Sequence, residues 1–299
     1  MVTAPLSQKT SFFDAIDSNK LKSILLILAM SFIFFILIYL ISYILDFGIF
    51  GIVLGAFGLV LYAGISYFAG DKIILSISGA KKVEKKDYPY LYNTVEGLVV
   101  AAQLPMLQIY VMEDESPNAF ATGRDPQHAS IAVTTGLLKI MTRQELEGVI
   151  AHEISHVGNY DIRFMMVAIV FAGAISLVSN VILRSFLFGG RRDDRRSGGL
   201  ALIAIIFAIL APIFALLIRL AISRQREYLA DANGARMTRY PEGLASALEK
   251  IGKVNKPVAV ATDATASLYF SNPLKAGFLS FLSTHPPMEE RIKRLRGMY

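Results

Sequence analysis

The stretch Thr142-Arg143-Gln144-Glu145-Leu146-Glu147-Gly148-Val149-Ile150-Ala151-His152-Glu153-Ile154-Ser155-His156-Val157-Gly158-Asn159 combines a helix start, an apolar face and a reactive group. Thr142 followed by Glu145 is a capping box, in which the threonine oxygen and the glutamate side chain each satisfy a free backbone N–H, so a helix is expected to run to about Asn159. His152 and His156 are one turn apart on one face, where both imidazoles can reach a single ion. Glu153 points beside them, at the position of a water to be activated. Val149, Ile150, Ile154 and Val157 make the helix largely buried, and unpaired histidines would be costly there. The pattern therefore reads as a zinc site of the hydrolytic type.

Such a site takes three protein ligands and keeps one position open. The chain has no cysteine, and its other histidines are His128, which reads as a solvated loop residue, and His285. Further along, Arg226-Glu227-Tyr228-Leu229-Ala230-Asp231 places two carboxylates four apart. On a helix both project from one face, so Glu227 can supply the third ligand while Asp231 orients a ligand histidine through its other ring nitrogen. Taken alone, the pair could equally be an exposed acidic face answering Arg224 and Arg226. One zinc ion per chain, held by His152, His156 and Glu227, is the expectation.

The 299 residues are 54% hydrophobic and only 18% charged, with a net charge of +6. An ordinary soluble domain carries about 25% charged residues. The deficit is concentrated in four uncharged runs, residues 23–45, 47–70, 164–183 and 197–218. Each reaches the roughly 20 residues a helix needs to cross a bilayer, which excludes a purely soluble enzyme, a disordered chain and a disulfide-stapled secreted domain. Only Asp46 separates the first two runs, so they form a tight hairpin. Lys9, Lys20 and Lys22 before it and Lys72, Lys81, Lys82, Lys85 and Lys86 after it put both ends on the cytoplasmic side. Between the last two runs lies a loop with Arg184, Arg191, Arg192, Arg195 and Arg196. That hairpin either crosses against the positive-inside tendency or dips into the bilayer, and the sequence leaves both open. Nothing beside these arginines suggests nucleic acid.

The parts between the runs supply the rest of the organisation. Residues 1–22 form a cytoplasmic N-terminal segment and residues 23–70 the first hairpin. Residues 71–163 and 219–299 are each small for an independent core and are expected to form one domain, split by the second hairpin at residues 164–218. Asp87 followed by Pro89 reads as a capped helix start, with Leu91, Val95, Leu98, Val99 and Ala102 as the buried face. Gln108–Val111 and Ser130–Val133 read as strands of a small sheet. A helix is expected to continue from the fourth run to about Met237, and another to start at Pro241 with Leu244, Leu248 and Ile251 inward. Residues 252–287 read as loop-rich.

Four motifs, Ser116-Pro117-Asn118-Ala119-Phe120-Ala121, His152-Glu153-Ile154-Ser155-His156, Glu227-Tyr228-Leu229-Ala230-Asp231 and Ser283-Thr284-His285-Pro286-Pro287 with Arg291, resemble those of the HtpX family of membrane zinc proteases. With the four apolar runs the resemblance covers nearly the whole chain. It implies α-helical transmembrane hairpins joined to one split α+β, zincin-like metalloprotease domain. It also implies that Asn118, Ala119, Phe120 and Ala121 form an edge strand to which an extended substrate adds. By the same resemblance His285 donates to the oxyanion, Arg291 orients a partner, and the activity removes misfolded membrane proteins in the bacterial or archaeal inner membrane. The expected partners are membrane-protein or unfolded polypeptide substrates and the bilayer itself. The related CAAX prenyl proteases share the zinc motifs but are larger and have more spans. A non-proteolytic zinc-dependent scaffold or sensor is the alternative from another class, and it would leave Glu153 dispensable.

Overall fold

A computed structural model of the chain describes residues 12–44, 46–171, 173, 224–254, 256–259, 261, 265–271, 273 and 286–298. Most of the second hairpin, with its arginine-rich loop, and His285 lie outside the described residues. The chain starts with two long helices, α1 (Phe12–Ile44) and α2 (Gly48–Ile77). Both are long and apolar enough to cross a membrane. The core helix of a soluble protein buries its apolar side chains, whereas Phe32, Phe50, Val60 and Phe68 stand outward here, each more than 60% exposed. The reversal between α1 and α2 is as tight as the single charge at Asp46 implies. Asp46 and Gly48 both take positive φ, and Phe47 N–H donates to Ser42 O at 2.9 Å.

After α2 come β1 (Lys81–Lys82), α3 (Pro89–Ala101), β2 (Gln108–Met112), β3 (Ala119–Gly123), β4 (Ala129–Thr134), the short α4 (Thr135–Ile140) and α5 (Arg143–Gly158). Pro89 occupies the first turn of α3 as expected, but Asp87 is not its cap. Tyr88 holds the N-cap position without a side-chain bond, and Asp87 instead turns back to accept from Glu84 N–H at 3.3 Å. Among the described residues the sheet has the order β1-β2-β4-β3, with β2 and β4 parallel and the outer pairs antiparallel. β3 is thus an edge strand, yet all five of its residues are buried.

The helix α5 is capped as read, with Thr142 N–H donating to Glu145 Oε2 at 2.7 Å and both halves of the capping box present. A helix over residues 161–171, α6, follows at once and buries Phe164 to Phe171, the start of the third apolar run, against α1 and α2. Tyr62 Oη donates to Val170 O at 2.6 Å across that contact. Then α7 (Arg224–Thr238), α8 (Pro241–Lys253) and α9 (Met288–Arg296) complete the described helices.

One hydrophobic core draws on residues both before and after positions 174–223. Leu91, Val95, Ile109, Ile131, Val149 and Ile150 from before them pack with Leu244, Leu248 and Leu295 from after them. A close backbone approach lies at Gly148, where a Cβ would stand 2.7 Å from Leu244 N and 2.8 Å from Leu244 Cα. Backbone cannot yield as a side-chain tip can, so Gly148→Ala must push α8 away from α5. The expected cost is about 1–3 kcal/mol, the usual penalty of overpacking, read as a lowered midpoint of thermal unfolding. An unchanged midpoint would mean that α8 is not held at this distance.

Candidate metal centre

The site is assembled from three helices and the segment before α9. His152 and His156 come from the middle and last turn of α5, Glu227 and Asp231 from α7, and Arg291 from α9; all five are buried. Close helix contact makes this possible: a Cβ on Gly234 of α7 would lie 3.1 Å from His152 N. The reading of Glu227 and Asp231 as an exposed acidic face is therefore excluded by the packing of α7 on α5.

The two imidazoles present their Nε2 atoms to one another at 3.2 Å. Glu227 reaches the same spot, with Oε1 at 3.5 Å from His156 Nε2 and Oε2 at 3.7 Å from His152 Nε2. The far nitrogens have carboxylate partners: His152 Nδ1 lies 2.9 Å from Asp231 Oδ1, and His156 Nδ1 lies 3.0 Å from Asp161 Oδ2. An ionised carboxylate only accepts, so each Nδ1 carries the proton and each Nε2 offers its lone pair inward. One ligand atom from each of His152, His156 and Glu227 falls within 4.8 Å of the others. Two inward lone pairs and a carboxylate converging at one buried spot fit a divalent cation.

The electrostatics agree. Burial lowers His152 to about 4, against the hydrogen bond to Asp231. Burial also disfavours the charged form of His156, but the bonds to Asp161 and Glu227 outweigh it and raise that imidazole well above its usual value. The protein groups by themselves thus hold a proton where a metal would displace one. For Glu153 burial dominates, pushing the carboxyl up to about 7, with His156 opposing, Glu227 reinforcing and a backbone hydrogen bond from Ala121 opposing. A bound cation would draw that value down.

Asp231 is shared. Arg291 grips it beside His152, Nε donating to Oδ2 at 2.8 Å and Nη2, 3.4 Å from His152 Nδ1, donating at 2.7 Å to Oδ1, the oxygen that His152 also faces. Arg291 Nη1 lies 3.6 Å from Glu227 Oε2 and donates to Phe270 O at 3.3 Å. Phe270 in turn sets its ring edge-on to His152, with centroids 5.0 Å apart. The same residue reaches the sheet, its N–H donating to Ala119 O at 2.8 Å. Asn118 is closed against Ser271, Nδ2 donating to Ser271 O and Oδ1 accepting from Ser271 N–H, at 3.0 and 3.2 Å. The Asn118–Ala121 segment therefore runs into β3 beside Glu153, with its outer edge already used at Ala119. His128 is half exposed and pairs with Asp125 at 2.7 Å, away from the site. Asp161 is the functional residue that the sequence reading did not single out.

Similarity to known proteins agrees with this geometry. The model of peptidase family M48 matches residues 85–299. The chain belongs to peptidase family M48. It is 50% identical over 291 residues to a Protease HtpX homolog of Dictyoglomus thermophilum, covering 96% of this chain and 95% of that protein. A Protease HtpX homolog of Thermoanaerobacter pseudethanolicus is 49% identical over 299 residues, covering 98% and 99%. Among solved structures, Ste24p of S. mikatae is similar with a TM-score of 0.51 at 19% identity, over 87% of this chain and 62% of that one, a likeness of fold. The M48 chain described here is accordingly a metalloprotease, and His152, His156 and Glu227 are the described residues able to hold its metal.

Proposed function

We propose that this M48 protease is a zinc-dependent endopeptidase of the cytoplasmic membrane that cleaves membrane proteins, above all misfolded or damaged ones. The observation that carries it is the convergence of His152, His156 and Glu227 on one buried spot next to Glu153. Two nitrogens and one carboxylate oxygen are a donor set suited to zinc with a position left open. Bound there, zinc supplies Lewis acidity that activates water and polarises a peptide carbonyl. Glu153 takes a proton from the attacking water on its carboxylate and delivers it to the leaving amine nitrogen. Asp231 and Asp161 hold the two imidazoles in the required tautomer. An extended substrate backbone that displaces the Phe270 N–H from Ala119 O would add to the outer edge of β3 by hydrogen bonds that do not depend on its sequence, a mode suited to a protease of many substrates.

Placement in the membrane is supported by α1 and α2, whose apolar side chains stand outward. The lysines beyond α2 favour a cytoplasmic catalytic domain. The test uses the purified full chain in proteoliposomes. Chelation is expected to abolish cleavage and zinc to restore it, and a membrane-embedded substrate is expected to be cut faster than a soluble unfolded one. Failure of zinc to restore activity would overturn the metal assignment, and equal rates on the two substrates would overturn the substrate class.

A further inference from the structure

The first apolar helix does more than lie beside the catalytic domain. Asn19, near the start of α1, is buried, and its amide Nδ2 donates to Asn159 O at 2.9 Å and to Asp161 Oδ1 at 2.8 Å. The other oxygen of the same carboxylate, Oδ2, is the partner of His156 Nδ1 at 3.0 Å. Arg226 Nη1 stands 3.6 Å from Oδ1. The intervening residue Tyr160 has φ +60, which lets the chain leave α5 and enter α6 within two residues. Its ring is covered by Lys20 of α1, with Nζ 4.6 Å from the centroid. Two consecutive residues of α1 thus clasp the turn that follows α5.

We propose that Asn19 is a positioning residue for the metal centre, fixing Asp161 so that its Oδ2 holds the His156 imidazole in the tautomer and orientation that present Nε2 to the metal. A carboxylate with both oxygens free to rotate could exchange them, and the Asn19 amide selects one. Ligand-supporting groups of this kind are worth about 10–100-fold in metal affinity. The apolar anchor is then a part of the metal site, and a catalytic domain freed from it would hold metal loosely even while folded. The proposal rests on the reading of His152, His156 and Glu227 as metal ligands.

The experiment measures Co2+ affinity by chelator competition, and the visible absorption of the Co2+ form, on the detergent-solubilised full chain. Wild type, Asn19→Ala, Asn19→Asp and Glu227→Ala are compared, with far-UV circular dichroism on each. Asn19→Asp keeps the side-chain volume but replaces the amide donor by a second carboxylate facing Asp161. Both Asn19 variants are expected to bind about tenfold or more weakly, with a changed Co2+ spectrum and an unchanged helical signal. Wild-type affinity and spectrum in either variant would overturn the proposal, and so would loss of the helical signal in both, since a positioning residue leaves the fold standing. Absence of tight Co2+ binding in wild type, or retention of it in Glu227→Ala, would instead overturn the metal reading beneath it.

Discussion

Glu153→Gln is expected to retain its metal at one ion per chain and to lose proteolysis by at least the 10²–10⁴-fold that a positioned acid–base group contributes. The glutamine is nearly the same shape, so the buried site should keep its packing. None of the three converging ligand atoms belongs to this residue. What disappears is a group that can both accept and return a proton. Burial favours the neutral form of this carboxyl and a cation beside it favours the charged one, so the two influences together keep it able to exchange protons near neutral pH. Metal analysis and a cleavage rate measured on one preparation separate the possibilities. Activity within tenfold of wild type would remove Glu153 from the chemistry and favour the scaffold or sensor alternative, whereas loss of metal together with activity would give it a structural role instead.

What the sequence made legible was local. The start of α5 is written in Thr142 and Glu145, and the starts of α3 and α8 in Pro89 and Pro241, because caps and prolines act within one turn. The pair Glu227 and Asp231 was readable because a four-residue spacing fixes a shared helical face. β3 was not readable from its pattern: Ala119 to Gly123 are buried on every side, which erases the alternation that marks a half-exposed strand. It was expected only through the motif resemblance. Asp161 and Asn19 were missed for a different reason. Their partnership spans 142 positions in the chain and crosses a left-handed turn at Tyr160, so no periodicity connects them. Polar contacts that join the first apolar helix to the carboxylate behind His156 exist only in three dimensions.

Arg291, expected as an orienting residue only through the motif resemblance, carries the second large effect. Its side chain is 1% exposed and makes a two-pronged bond to Asp231, which is itself buried and bonded to His152. Arg291→Leu would leave Asp231 and Glu227 as buried carboxylates without their cation, and removing one partner of a buried ion pair costs about 3–5 kcal/mol. The expected readout is a marked drop in the unfolding midpoint together with weaker metal binding, since Asp231 no longer holds His152 from a fixed position. Arg291→Lys keeps the charge but not the fork, so it should lie between the two. A leucine variant as stable as wild type would show that the pair contributes nothing net. The decisive comparison is the double variant Arg291→Leu with Asp231→Leu. Replacing both charges by apolar groups removes the unpaired carboxylate at Asp231 and is expected to recover much of the stability. It cannot restore an acceptor for His152 Nδ1, so metal affinity should stay low. Stability and metal affinity would then separate in one protein, as they must if the buried pair is there to aim an imidazole rather than to hold the fold together.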